Sequence, residues 1–219
     1  MKKTILSIAL TILTFVSATA QLTEGHVQYN IDMSSDDPEM EMAVSMMQGS
    51  TLDLYFSEDK SRTEMSMGSM MKISTVTNVK SDEVLMLMSG MIGKKAVKSS
   101  LSELESEAGE KPEYEVELID ESKEIEGYTC KKAVLTDADD NEMTFWYTEE
   151  IAVNKKGQNY LNEDVPGFPM EFELNQNGLI MSMTVSLFKD SLEDDSVFDI
   201  KIPEGYEEMS MEDLKSMGM

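Results

Sequence analysis

From His26 to Met33 the chain reads HVQYNIDM, with Val27, Tyr29, Ile31 and Met33 on one side and Gln28, Asn30 and Asp32 on the other. Such a period of two predicts a half-buried strand. The alternation returns at Leu52, Leu54 and Phe56, and again at Thr63, Met65 and Met67 against Arg62, Glu64 and Ser66. Gly68 and Ser69 predict a bend, after which Met71 and Ile73 resume the phase. Val84–Met88, VLMLM, is apolar on both sides and predicts a strand covered on both faces; Lys94–Ser99 adds a short one. The second half keeps the habit. Tyr114, Val116 and Leu118 alternate, as do Met143, Phe145 and Tyr147. MEFEL (Met170–Leu174), the turn NQNG and the face Leu179, Met181, Met183, Val185 and Leu187 predict a hairpin. VFDIKIP (Val197–Pro203) reads as a further strand.

The pattern changes in three places. Asp37 as N-cap, Pro38 at the first helical position and Gly49 as a stop predict a helix between them. Its apolar stripe is Met40, Ala43, Val44 and Met47, spaced i, i+3, i+4, i+7, and widened by Met42 and Met46. The acidic stretch Leu101–Tyr114 predicts a short surface helix with a loop, or a linker. Ser210 and Asp213 have capping-box spacing, which predicts a short C-terminal helix. Roughly nine to eleven strands with a few helices read as a mainly β (α+β) fold. The expected architecture is an open, curved antiparallel sheet, or half-barrel, with one main helix and short helices packed over its concave face. Nothing marks a boundary within residues 21–219, a length suited to a single β-rich domain.

The first twenty residues stand apart. Lys2 and Lys3 precede the apolar run Ile5–Val16, and Ala18 and Ala20 occupy A-x-A positions. This is the pattern of a secretory signal peptide over residues 1–20. The run falls short of the about 20 residues that span a bilayer. No cysteine follows the small residues, so a lipoprotein anchor is not expected, and no later segment is apolar enough for stable membrane insertion. The expectation is an exported protein, soluble in the periplasm or outside the cell. The full chain carries a formal net charge of −25, and cleavage after Ala20 would also remove Lys2 and Lys3. So negative a surface repels nucleic acid and anionic lipid.

Candidate chemistry is sparse. Cys130 is the single cysteine and His26 the single histidine, so neither an internal disulfide nor the usual Cys/His metal site can be assembled. No G-x-S-x-G motif occurs, and Cys130 lies in an alternating pattern that suits a buried thiol. No catalytic residues, no cofactor and no His/Cys metal centre are expected.

Several phrases carry a resemblance. KEIEGYTCKKAVL (Lys123–Leu135), TFWYTEEI (Thr144–Ile151) and VPGFPMEFEL (Val165–Leu174), flanked by YFSEDKSRTEMSMG (Tyr55–Gly68) and FDIKIPEGYEEM (Phe198–Met209), span nearly the whole chain after residue 20. Their order resembles a family of exported bacterial proteins with a domain of unknown function, related to GLPGLI-type secreted proteins. More distantly, the layout is similar to the lipoprotein-localisation-factor (LolA/LolB-type) fold. That resemblance implies a half-barrel with a helical lid over an apolar cavity, and a binding protein without catalytic residues. Gly127, Tyr128, Trp146, Pro166, Gly167 and Pro169 read as structural within it.

What remains distinctive is methionine, 21 residues of 219, gathered at Met40–Met47, Met65–Met71 and Leu85–Met91. Thioethers bind soft metals such as Cu(I), for which Met65, Met67, Met70 and Met71 with Met86 or Met88 are the candidates. They also form apolar walls that adapt to variable shapes, and most of these methionines follow the strand or helix period as core residues do. A core, with or without a cavity, accounts for that phasing better than a metal site. The expected function is therefore binding of a hydrophobic ligand, an acyl chain or a lipidated protein. Its walls would be Met40, Met47, Met65, Met67, Met71, Met86, Met88, Met181 and Met183. The alternatives are a Cu(I)-binding protein and a structural or interaction protein of the cell envelope. Neither ligand identity nor oligomeric state is legible in the sequence.

Overall fold

The computed structural model describes residues 21–68, 70–91, 93–108, 113–138, 140–153, 164–176 and 179–216. The proposed signal peptide, Ser69 and part of the NQNG turn lie outside the described residues. In chain order the elements are β1 (Gln21–Leu22), β2 (Gly25–Ser35), α1 (Glu41–Met46), β3 (Ser50–Phe56), β4 (Lys60–Met67), β5 (Met71–Asn78), β6 (Glu83–Gly90), β7 (Gly93–Ser99) and α2 (Leu101–Ala108). Then come β8 (Glu115–Ile125), β9 (Tyr128–Thr136), β10 (Glu142–Thr148), β11 (Ala152–Val153), β12 (Phe168–Gln176), β13 (Leu179–Lys189), β14 (Glu207–Met209) and α3 (Met211–Ser216).

Twelve strands form one sheet in the order β14-β7-β6-β5-β4-β3-β2-β13-β12-β10-β9-β8. Two antiparallel meanders are joined edge to edge by β2 and β13; β14 pairs in parallel along β7, and β1 and β11 form a separate two-stranded parallel pair. The chain must pass from β7 to β8, ten strand spacings away, or about 48 Å if the sheet were flat. Between Ser99 and Glu115 it has eight helical residues and little else. Even with the other residues fully extended this reaches only about 40 Å. The sheet is accordingly curved, an open half-barrel. Between β12 and β13 the ladder covers only Glu171–Gln176 against Leu179–Thr184. Beyond it Phe168–Met170 and Val185–Lys189 stay with β10 and β2 respectively, and the sheet splays. Phe168 and Phe188 meet edge-on in that gap, and the Tyr29 hydroxyl donates across it to the Pro169 carbonyl at 2.7 Å. Burial of this cluster, with Val27, Leu54, Cys130 and Met170 among its members, anchors the two meanders to one another.

β6 is covered on both faces, as its composition predicts. Met88 and Val97 on one face are sealed by Leu214 of α3; Leu85, Leu87 and Ala96 on the other lie under Ile200, Ile202 and Tyr206. The chain thus wraps round the β7 edge, from one face to the other. Val197–Pro203 is not a strand. A 3₁₀ turn at Asp195–Phe198 leads into a segment whose alternation comes from burying Ile200 and Ile202 on one side, without a ladder partner. The C-terminal helix is capped as predicted: the Asp213 amide donates to Ser210 Oγ at 3.1 Å and the Ser210 amide to the Asp213 carboxylate at 3.1 Å. α2 starts on a similar arrangement, with Ser100 Oγ accepting from the Glu103 amide, and is tied to the β5–β6 turn by Asp82.

The helix expected between Asp37 and Gly49 is real but short. Asp37 caps a 3₁₀ turn at Pro38–Met40, and α1 continues for six residues. Met40, Val44 and Met47 are half-buried, but Met42 and Met46 are 76% and 47% exposed. An element of this length cannot lie across a twelve-stranded sheet. It sits at the rim beside β2, and the helix that seals part of the sheet is α3. No helix among the described residues is long and apolar enough to cross a membrane.

Candidate ligand-binding face

Register decides which side chains share a face. Met65 opposes Ile73, which opposes Met88; Met67 opposes Met71; Thr75 opposes Met86. In β13, Met183 and Met181 oppose Ile31 and Met33 of β2. Followed through β2, β3 and β4, these pairs put all seven strand-borne candidates on one face, hereafter the methionine face. Five of them, Met65, Met67, Met71, Met86 and Met88, surround Ile73, a residue that methionine counting overlooks. Met88 and Met183 are buried, while Met65, Met67, Met71, Met86, Met181 and Ile73 are half-buried. Within the half-buried patch on β4–β6, Met65 packs against the main cluster at β2–β3, and Ile73 and Met86 pack against the one closed by α3. Met40 and Met47 are half-buried and flank α1 beside β2, on no strand of the sheet.

The rim where α1 sits draws together the three methionine clusters. Gly68 lies so close to the end of α1 that a Cβ there would come within 2.5 Å of the Met46 carbonyl oxygen. Its amide donates to Ser50 Oγ at 3.1 Å, and the Ser50 amide donates to the Met47 carbonyl at 3.2 Å. Gly90 repeats the device, since a Cβ would come within 2.2 Å of the Met70 carbonyl oxygen, to which Met91 N–H donates at 3.2 Å. Both glycines have positive φ, +51° and +142°. Only a residue without a side chain lets these turns stack.

The opposite face is polar at its centre. His26 Nε2 donates to Asp53 Oδ1 at 2.8 Å, Gln28 shares that oxygen, and the His26 ring stacks on Tyr55 with centroids 4.1 Å apart. This pairing of the single histidine was not legible in the sequence. Burial raises the Glu64 carboxyl, but bonds from Lys72 and Arg62 outweigh it and hold it below its ordinary value. An open groove of 570 Å³ lies nearby, lined by Arg62, Leu87, Asp199 and Lys201 among others. None of the methionine candidates lines it. Cys130 is fully buried, and burial pushes its thiol up to about 11, the opposite of a nucleophile's shift. Among the described residues no three His, Cys, Asp or Glu side chains gather as a metal site.

The motif residues have structural work. Trp146 lies under the Lys123 ammonium, 4.3 Å from ring centroid to Nζ, and Lys123 also pairs with Glu171 at 2.6 Å. Gly167 lies against the Thr148 carbonyl, where a Cβ would come within 2.3 Å.

Comparison with known proteins places the chain. No curated protein matches it. A structure of an uncharacterized conserved protein from Thermus thermophilus is similar in fold, with a TM-score of 0.51 at 13% identity, over 86% of this chain and 91% of that one. A structure of PNGF-II aligns with 89% of this chain at 15% identity and a TM-score of 0.45. The present chain spans 32% of its length. A LolA superfamily protein from Nitrosomonas europaea aligns over 81% of this chain and 90% of its own, with 11% identity and a TM-score of 0.33. Residues 64–204, more than half of the chain, match the family described as N-glycanase peptide, N-terminal domain, and the chain belongs to that family.

Proposed function

We propose that the protein is an exported, non-catalytic binding protein that holds a hydrophobic ligand, an acyl chain or a lipidated partner, against the methionine face. The observation that carries this reading is the half-buried patch of Met65, Met67, Met71, Met86 and Ile73. These side chains lie side by side on one face; Met65 packs against the main cluster and Ile73 and Met86 against the one closed by α3, yet all five stay only half-buried. Methionine there is costly as plain core, because ordering its long side chain loses up to about 2 kcal/mol of rotamer entropy. It is suited to a wall that repacks around ligands of differing shape. A non-catalytic role is supported by the chemistry available. His26 is engaged by Asp53 and stacked on Tyr55, and Cys130 is sealed with its thiol protonated. The family description names a glycanase, but the chain spans 32% of the length of PNGF-II, and that activity is not part of the present proposal. Export rests on the residue 1–20 pattern, and kinship with GLPGLI-type secreted proteins on the quoted phrases.

Native mass spectrometry on gently purified protein tests the proposal. It should show an adduct of acyl-chain mass, or uptake of added fatty acid or lipopeptide, and Met65→Glu with Ile73→Glu should abolish it. A clean unliganded mass together with no uptake of either lipid class would refute it.

A further inference from the structure

The stacked turns at the rim form a second methionine environment, built differently from the face. There the sequence-remote residues Met46, Met47, Met67, Met70, Met71 and Met91 are tied into one backbone knot by Gly68, Ser50 and Gly90. Met67 and Met71 are a directly opposed cross-strand pair, so their Cβ atoms lie about 5 Å apart. Met46 is 47% exposed and Met91 85% exposed, with Met47, Met67, Met70 and Met71 half-buried between them. Two glycines held at close backbone approach, Gly68 against Met46 and Gly90 against Met70, maintain the arrangement.

We propose that this knot binds a soft monovalent cation, Cu(I) or Ag(I), through thioether sulfurs, with Met67 and Met71 as the paired ligands and Met46, Met70 or Met91 completing the set. The donor chemistry selects the ion: thioethers are soft ligands, which favour Cu(I) over hard cations. No proton need leave a thioether for it to bind, unlike a thiol or imidazolium, so binding persists into acid. Methionine's long, unbranched side chain lets ligands converge from different turns. The formal charge of −25 attracts a cation to the surface in the first place. The rim site shares Met67 and Met71 with the methionine face, whereas Met46, Met70 and Met91 are not wall candidates of the face, and these set the two proposals apart.

The test is anaerobic titration of the full chain, labelled at its methionine methyl carbons, with Ag(I) and with Cu(I) against a competing chelator. The expected result is one bound ion per chain at pH 7 and at pH 5, with the methyl signals of Met67, Met71 and their rim neighbours moving while Met88 and Met170 stay in place. Met67→Leu with Met71→Leu should weaken binding by roughly tenfold or more. Met46→Leu with Met91→Leu, on open side chains that folding does not need, should weaken it as well. No stoichiometric binding, shifts spread evenly over all methionines, or affinity untouched by both double variants would overturn the proposal. Lipid uptake measured on Met46→Leu with Met91→Leu, which leaves every wall candidate of the face in place, reports on the face independently.

Discussion

At the scale of the residue, two kinds of position matter most. Gly90 combines a φ of +142° with a neighbouring carbonyl oxygen that an added Cβ would meet at 2.2 Å, whereas Gly93, at φ +81°, has nothing within 4 Å. Gly90→Ala should therefore cost about 1–3 kcal/mol of stability, and Gly93→Ala about 1–2. Urea denaturation of both variants checks the order, and equal costs would mean that the stacked turns are not tightly held. Glu64 is the second kind. Its carboxyl is lowered in the folded state despite partial burial, so the pairing with Lys72 and Arg62 stabilises the fold above the ordinary value of 4.5. That contribution drains away as pH falls through the lowered folded value. Glu64→Gln should lower Tm at pH 7, and its deficit relative to the parent should shrink as pH falls below 4.5 and through the lowered folded value. A deficit that stays constant with pH would show that the carboxyl is not held low.

At the scale of elements, β6 and α3 depend on one another. Leu214 is the buried residue by which α3 closes over Met88 and Val97. Leu214→Ala should cost about 2–5 kcal/mol. Hydrogen exchange should then speed up first at the β14–β7–β6 edge, not at β2 and β13. The same elements show what a sequence can reveal. Long strands were legible because one buried face forces a period of two, and β6 because two buried faces erase it. The cap of α3 was legible because Ser210 and Asp213 are local to one another. Two- and three-residue strands such as β1, β11 and β14 have too few positions to show a period. Val197–Pro203 mimicked a strand because an extended segment packed on one side alternates for the same reason a strand does. α1 was read too long, since its stripe of methionines says nothing of how far the partner surface extends.

At the scale of the molecule, the methionine face and the rim differ in how far they could be foreseen. Met65, Met67, Met71, Met86, Met88, Met181 and Met183 share a face because each strand keeps its phase, and phase survives in sequence. Ile73 was in phase with that face but was not counted among its walls, because it sits among methionines without being one. The rim depends on register and on two close backbone approaches, Gly68 to Met46 and Gly90 to Met70, which join residues far apart in the chain. Likewise, His26 meets Asp53 only through the pairing of β2 with β3. The curvature itself follows from topology, since a short connection must reach from β7 to β8. The half-buried methionines lie off the centre of that curved sheet, on β4–β6, flanked by the buried cluster of β2, β3 and β13 and by the edge that α3 closes, and that is the resting place proposed for the ligand.

The sharpest test of that resting place is methionine-methyl NMR of the full chain titrated with a long-chain fatty acid and, separately, with a lipopeptide. Saturable shifts confined to Met65, Met67, Met71 and Met86 are expected, with Met42 unmoved although it is more exposed. Shifts that are absent, or that track exposure and appear first at Met42 and Met91, would contradict ligand binding on the methionine face.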